Sequence, residues 1–399
     1  MKILQVSHKY PFPPNDGGAI AMLNLAEGFR RAGHEISLLA MKTPKHGGKS
    51  TELHTGSVYR EIVTAYVDTN IRLVRLLSNL LFSKFPYNAE RFINDEFRNR
   101  LTEMLRQNTF DIVQLEGLYL MPYAEVIRKH SKAKISLRSH NIEHEVWNRI
   151  ARQAGNRLMK SYFNVLARRM KAFETSFMNH YDLLVPISHR DHHCYNGFGN
   201  TKPSLVIPVG IDTSVKYSPA SIPEKKSLFF IGSLDYIPNQ EGLIWFIEKV
   251  WKKFPHALHN YSFYIAGRNA PANLKKYLRF QPVNYKGEVD DAKRFMRTGG
   301  IMVVPVLSGG GIRVKIIEAM ALGIPVVTTS IGAEGLDVTD GLNILIADEP
   351  EGFSNAVVRL LENQTFFSNI GKNARIFIED KMDGDILATE LLNFYRNNL

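Results

Sequence analysis

Short apolar runs alternate with amphipathic stretches along the whole of this chain. KILQV at residues 2–6 is apolar and bounded by polar residues, as a buried strand would be. Then comes SHKYPFPPNDGG, where Pro11, Pro13 and Pro14 forbid regular pairing and Gly17 and Gly18 permit close backbone approach. Residues 19–31 place Leu23, Ala26 and Phe29 on one helical face. Gly33 stops that helix, and EISLLA follows as a second strand. Such a βαβ unit implies a parallel sheet. DIVQLEG (111–117), AKISLRSH (133–140), DLLVPIS (182–188) and SLVIPVG (204–210) are the next expected strands, with helical, basic segments between them.

DTSVKYSPASIPEKK is polar, carries two prolines and lacks periodicity, so it reads as an interdomain linker. The alternation then restarts. Strands are expected at SLFFIGS, SFYIAG, VNYKGEV, IMVVPV, IPVVTTS and NILIA. Helices are expected at 241–254, 290–298, 312–323, 351–362, 366–379 and 385–397. The expected fold is α/β: a Rossmann-like domain over 1–205, a linker over 206–226, a second Rossmann-like domain over 227–380, and a closing helix over 381–399 that turns back toward the first domain. In doubly wound sheets ligands bind at the carboxyl ends of the strands, so the cleft between the two domains is the expected site.

Composition narrows the class. The chain has 399 residues, 44% hydrophobic and 22% charged, which excludes a mostly disordered or fibrous protein. No apolar run reaches the roughly 18 residues of a spanning helix. The opening MKILQVSHKY lacks the long apolar core of a signal peptide, and Cys194 is the single cysteine, so a reducing cytoplasm is the expected home. The net charge is +11, and residues 60–175 hold 20 Lys and Arg against 12 Asp and Glu. Residues 146–173 contain no acidic side chain. A clustered basic surface implies an anionic partner (lipid headgroups, nucleic acid or a phosphorylated substrate), while a solvated helix face is the plainer reading. IRLVRLLSNLLFSKF at 71–85 reads either as a core helix with a basic rim or as a helix lying in a membrane interface.

The most informative segment is PVLSGGGIRVKIIEAMALGIPVV at 305–327. A strand ends, Gly309, Gly310 and Gly311 make a turn with free N–H groups, and a helix begins. That arrangement aims backbone donors and the positive helix end at one spot, an anion site. Arg313 and Lys315 sit in the first turn, where the helix dipole disfavours cations unless an anion is bound. Glu318 follows Lys315 on the same face, where it accepts hydrogen bonds from hydroxyls or pairs with Lys315. No Walker loop and no GxGxxG after the first strand support ATP hydrolysis or nicotinamide chemistry. His189, His192, His193 and Cys194 lack zinc-ligand spacing and read as a polar helix surface.

IGSLDYIPNQEG, FYIAGR, VNYKGEVDD, the glycine loop with EAMALGIPVV, and GLNILIADEPE together resemble, in order, the motifs of glycosyltransferase family 4, the retaining nucleotide-sugar transferases of GT-B fold. PPNDGGAIAMLNLAEGFRRAGHEI resembles the family's opening glycine loop and helix, and LRSHNIEHEVW its central strand ending in His. Two departures stand out. Where the family often has two Glu eight positions apart, Glu318 matches the second and Gly310 occupies the first. Where it often has Arg and Lys after the first C-terminal strand, this chain has Ser233 and Asn239.

The resemblance implies a glycosyltransferase of polysaccharide or glycolipid biosynthesis, resembling the hexosyltransferases. Its donor would be a nucleoside-diphosphate sugar (a UDP- or GDP-sugar) and its acceptor a glycan or lipid-linked glycan. It implies Arg313 and Lys315 at the leaving diphosphate, and His140 beside the donor sugar and acceptor. It puts Gly17, Gly18, Gly232, Asn239, Gly310 and Gly311 around the nucleotide sugar, Glu318 on the ribose, and the backbone of Gly287 and Val289 on the base. No metal cofactor is implied, since two cations serve the diphosphate, and no nucleic-acid partner. Glu116, Glu143 and Glu145 are candidate carboxylates by position only. The basic 60–175 region implies a peripheral place at the inner face of an anionic membrane. The alternatives are another GT-B sugar-nucleotide enzyme, such as an epimerase, and a non-catalytic protein that binds an anionic surface or nucleic acid.

Overall fold

The computed structural model describes all residues except 15, 47–57, 154, 215–226, 254–257, 259, 281, 282 and 299. The chain divides into two units, residues 1–210 with 384–399, and residues 211–383.

The first unit holds six parallel strands: β1 (Lys2–Ser7), β2 (Glu35–Lys42), β3 (Glu61–Tyr66), β4 (Ile112–Glu116), β5 (Lys134–Ser139) and β6 (Leu183–Pro186). They lie in the order β3-β2-β1-β4-β5-β6. The order reverses between β1 and β4, which makes their carboxyl ends a topological switch point. Central strands are covered on both faces and therefore read as near-continuous apolar runs; β4 and β6 are buried at every position. The helix Gly17–Arg31 follows β1. Asp16 caps it by accepting from Ala19 N at 3.0 Å, and Arg30 and Arg31 complement its carboxyl end.

The second unit repeats this plan with β7 (Leu228–Ile231), β8 (Phe263–Ala266), β9 (Val283–Gly287), β10 (Ile301–Val304), β11 (Val326–Thr328) and β12 (Leu345–Ile346), all parallel. Their order is β12-β11-β10-β7-β8-β9, so the switch point falls between β7 and β10. The register of β8 on β9 slips between Ile265 and Ala266, leaving Lys286 as an extra residue and bringing Gly287 opposite Ala266.

The closing helix Gly384–Asn397 counts with the first unit: Leu387, Leu391 and Tyr395 share a core with Ile3, Phe29 and Ile36. A Cβ at Gly28 would stand 2.5 Å from the Ala388 Cβ, so only glycine lets these two helices approach so closely.

Four readings need correction. Residues 204–210 are not a strand. They run beside β6 through Leu205 N to Leu184 O and Ile207 N to Pro186 O, with one isolated bridge at Ser204. Pro203, Pro208 and Pro186 lack the N–H groups that a ladder needs. Residues 206–210 are also no linker: Asn24 Nδ2 donates to Gly210 O, and Arg138 Nη2 to Pro208 O, which ties them to the first unit. Beyond them, 215–226 lie outside the described residues, as does Phe254 at the end of an expected helix. That helix starts earlier, at Ile237, and continues through a π-helical turn at Phe246–Trp251. Finally, β3 stands where no strand was read.

Candidate functional site

Both switch points gather polar side chains, and each is best built from its own strands. In the second unit β7 ends at Ile231, and the chain turns through Gly232 into the helix Ile237–Trp245. The helix Val314–Ala321 follows the glycine loop after β10. Lys315, in its first turn, reaches across to the end of β7. Its Nζ donates to Asn239 Oδ1 at 2.9 Å and to Ile231 O at 3.3 Å, and lies 4.1 Å from the Phe230 ring centroid. Asn239 is fixed in turn, its Nδ2 donating to Ser233 O at 2.8 Å. A Cβ on Gly232 would come within 3.0 Å of both Lys315 Nζ and Asn239 Nδ2. Gly232, Asn239 and Lys315 thus form one constellation. Burial, and secondarily the charge of Arg313, pulls the Lys315 ammonium down to about 7.

Arg313 is turned elsewhere. At the N-cap of the same helix, it donates to the carbonyls of Ser308, Gly310 and Gly311. It braces the glycine loop rather than extending from it. Ser308 Oγ donates to Glu241 Oε2 at 2.7 Å, and a Cβ on Gly242 would strike Pro305 O at 1.9 Å; the loop is therefore seated directly on the helix Ile237–Trp245. Glu318 is half-buried; burial raises its carboxyl, and the cation that tempers the rise is Lys293, not Lys315.

Gly287 and Val289 lie at the carboxyl end of β9, two strands from β7. Gly267 links them to the constellation: its N–H donates to Gly287 O at 2.8 Å, and a Cβ on it would meet Gly232 O at 2.1 Å. Gly232, Gly267 and Gly287 therefore make a ledge of bare backbone along three strand ends.

In the first unit the switch point is built on Glu116, the last residue of β4 and fully buried. Gln5 Nε2 donates to its Oε1 at 2.6 Å, and so does Gln114 Nε2. His140 Nε2 lies 2.7 Å from its Oε2, and Arg138 Nη1 stands 4.0 Å away. Burial pushes this carboxyl up, but the hydrogen bond from His140 and the charge of Arg138 outweigh it and hold the group at about 2. A carboxylate only accepts, so His140 Nε2 carries the proton and Nδ1 is left as an acceptor. Burial lowers His140, against the pull of Glu116, so the ring is neutral at pH 7. His8, at the end of β1, donates from Nδ1 to Glu116 O at 2.9 Å and is held at about 3, mainly by burial. The network continues inward: Tyr395 of the closing helix bonds Gln114 Oε1 and Ser136 Oγ, and Tyr59 donates to Gln5 Oε1.

Gly17 and Gly18 open the helix after β1. A Cβ on Gly18 would sit 2.4 Å from Lys9 Nζ, which pairs with Asp16 at 2.5 Å. Burial favours the neutral Asp16, yet hydrogen bonds from His46 and Lys9 hold its carboxyl far below the usual range. Of the other candidate carboxylates, Glu143 is pushed up to about 7 by burial and accepts from Tyr119 Oη at 2.7 Å. Glu145 pairs with Arg190 and Arg149. His140 was expected at the site and Glu116 was a candidate by position, but Lys9, Gly267 and the partners Gln5, Gln114 and Arg138 were not singled out from sequence. The signal for the network was nonetheless there, because Gln5 and Gln114 are polar residues inside apolar strands and pair in register.

Among the described residues no cluster of His, Cys, Asp and Glu is placed to hold a metal ion, and no helix is long and apolar enough to cross a membrane.

The family model described as Glycosyltransferase Family 4 matches residues 15–215, just over half of the chain. The chain belongs to glycosyltransferase family 4. The model described as Glycosyl transferases group 1 matches residues 225–363 of this family 4 glycosyltransferase. It is 25% identical, over 96% of both chains, to an uncharacterised 44.6 kDa protein in the cps region of Klebsiella pneumoniae. It is 28% identical, over 43% of this chain and 45% of the other, to an uncharacterised glycosyltransferase of Methanocaldococcus jannaschii. Among solved structures it is similar to Anabaena HepE in complex with UDP, with a TM-score of 0.70, 14% identity and 100% of both chains covered. It is also similar to the sucrose-phosphate synthase of Thermosynechococcus elongatus, with a TM-score of 0.73, 15% identity, and 100% and 99% covered. The two doubly wound units of this family 4 member are the GT-B fold that its motifs implied.

Proposed function

We propose that this glycosyltransferase moves a sugar, with retention at the anomeric carbon, from a nucleoside-diphosphate sugar to a glycan or lipid-linked glycan, in polysaccharide or glycolipid synthesis at a membrane surface. The observation that carries the donor reading is Lys315: a half-buried ammonium at a switch point, bonded only to neutral acceptors and set against the bare backbone of Gly232. Such a cation is costly to bury until an anion joins it. UDP in the HepE complex, and UDP-glucose in another complex of the same protein, support the same class of donor.

In this reading Lys315 neutralises the diphosphate as it leaves, worth roughly 10²–10³ in turnover. Arg313 holds the glycine loop whose Gly310 and Gly311 N–H groups face the same anion. Asn239 aims Lys315. The ledge of Gly232, Gly267 and Gly287, with Val289, takes the nucleoside, and Glu318 the ribose hydroxyls. Gly17 and Gly18, with Lys9 beside them, serve the diphosphate from the first unit's helix, and His140 accepts a hydroxyl through Nδ1. Glu116 cannot act as a covalent nucleophile, because it is fully buried with donors on both oxygens, so a double displacement of the glycosidase kind is disfavoured. The leaving phosphate then takes the acceptor proton.

The test is transfer from UDP- and GDP-sugars to glycan and lipid-linked acceptors, with the anomeric configuration of the product read by NMR. Retention supports the reading. Inversion, or turnover of the sugar nucleotide without an acceptor, overturns it.

A further inference from the structure

The helix Leu73–Phe82 turns large apolar side chains to solvent. Of its described side chains only Asn79, a polar one, is buried, at 4% exposed. Of its described apolar residues Leu76 is half-buried, while Val74 is 80% exposed, Leu81 72% and Phe82 84%. A helix that packs on a core does the reverse. The burial of Asn79 is held in place by polar bonds. Arg169, on the helix Arg157–Ser176, donates to Asn79 Oδ1 and to the carbonyls of Asn79 and Ser83, while Asn79 Nδ2 donates to Glu90 Oε2 at 2.6 Å. The helix is clamped at Asn79, and Val74, Leu81 and Phe82 stay outward.

The clamping helix adds to the same character. Leu158 is 81% exposed, and Met159 and Val165 are exposed as well. Lys160, Arg168 and Lys171 stand exposed on it, Arg75 and Lys84 on the clamped segment, and no acidic residue occurs from 146 to 173. Exposed apolar area of this kind marks an interaction surface. These exposed cations, on segments that carry no acidic residue from 71 to 85 or from 146 to 173, select an anionic partner. Apolar residues one turn deep, flanked by lysine and arginine, fit a lipid interface better than a polar macromolecule, whose phosphates would leave the leucines and Phe82 in water.

We infer that the paired helices Leu73–Phe82 and Arg157–Ser176 form a docking face for an anionic lipid bilayer, with Val74, Leu81, Phe82 and Leu158 entering the acyl boundary and the flanking cations meeting the headgroups. The inference rests on the reading of a lipid-linked acceptor only for its purpose; the surface itself does not depend on it.

Co-sedimentation of the full chain with vesicles of phosphatidylcholine, and of phosphatidylcholine mixed with phosphatidylglycerol, tests it. The wild type is expected on the anionic vesicles and not on the neutral ones. Leu81→Ser with Phe82→Ser should weaken binding roughly tenfold or more by removing buried apolar area. Lys160→Gln should weaken it by about fivefold, the worth of one cation near an anionic surface. The thermal shift given by UDP is read on the same variants. An unchanged shift shows that fold and donor site are intact, so a failure here is separable from a failure of the donor reading. Absence of wild-type binding to anionic vesicles, or binding that the double variant leaves unchanged, overturns the proposal. So does a wild-type dimer that the double variant breaks, since a second copy would then cover the face.

Discussion

The two switch points share a strand order and differ in what they leave unanswered. In the first unit a buried carboxylate, Glu116, receives Gln5, Gln114 and His140, with Arg138 close by. Its charge is satisfied within the protein, and the flanking His8 and His140 are neutral. In the second unit a half-buried ammonium, Lys315, donates only to a side-chain amide oxygen and a backbone carbonyl. One site is electrostatically closed and can position a neutral hydroxyl. The other is open and gains most from an incoming anion. The fold sets where each site lies; the charge left over sets what each can take.

Removing the open charge should have the largest effect. Lys315→Ala is expected to lower turnover roughly 10²–10³-fold, measured as sugar released from the donor in the presence of acceptor. Opening the closed site should instead cost stability: Glu116→Gln leaves Arg138 buried without its counter-charge and should lower unfolding free energy by about 3 kcal/mol, read by urea denaturation. A similar melting curve for that variant would show that the network does not act as a unit. Gly28→Leu should cost about 1–3 kcal/mol by forcing the helices Gly17–Arg31 and Gly384–Asn397 apart, with UDP binding kept, because Gly28 lies away from either switch point.

A pH series sharpens the contrast. Lys315 titrates near 7 when free and is expected to be held protonated by a bound diphosphate. Donor affinity should therefore be flat at low pH and fall, approaching tenfold per pH unit, above about 7. Lys315→Arg, which cannot lose its proton in this range, should flatten that fall. His140, already neutral there, contributes no slope of its own. The smallest effect expected is Tyr395→Phe, about 1 kcal/mol from lost hydrogen bonds to Gln114 and Ser136.

The sequence carried the architecture well because parallel central strands are apolar end to end, as in ILQV of β1 and IMVV of β10. It failed where that rule does not hold. β3, EIVTAY, is an edge strand only partly covered, so its pattern is weak. Residues 204–210 look like a buried strand by hydrophobicity, yet their prolines break the ladder. The glycine loop and Lys315 were legible because a cation at a helix start is anomalous. The side-chain direction of Arg313 was not, since three loop carbonyls compete for it and spacing says nothing of which wins. Likewise the apolar run at 71–85 fitted a core helix as well as an interfacial one. The burial of Asn79 and the exposure of Val74, Leu81 and Phe82 separate them.

The most direct test of the open second site is calorimetric titration of UDP, GDP, ADP and dTDP into the wild type, Lys315→Ala and Glu116→Gln. One nucleotide should bind the wild type, bind Lys315→Ala about 100-fold more weakly, and bind Glu116→Gln nearly as well as the wild type. Equal affinity in the wild type and Lys315→Ala, or no binding of any of the four to the wild type, would contradict the assignment of the diphosphate to Lys315.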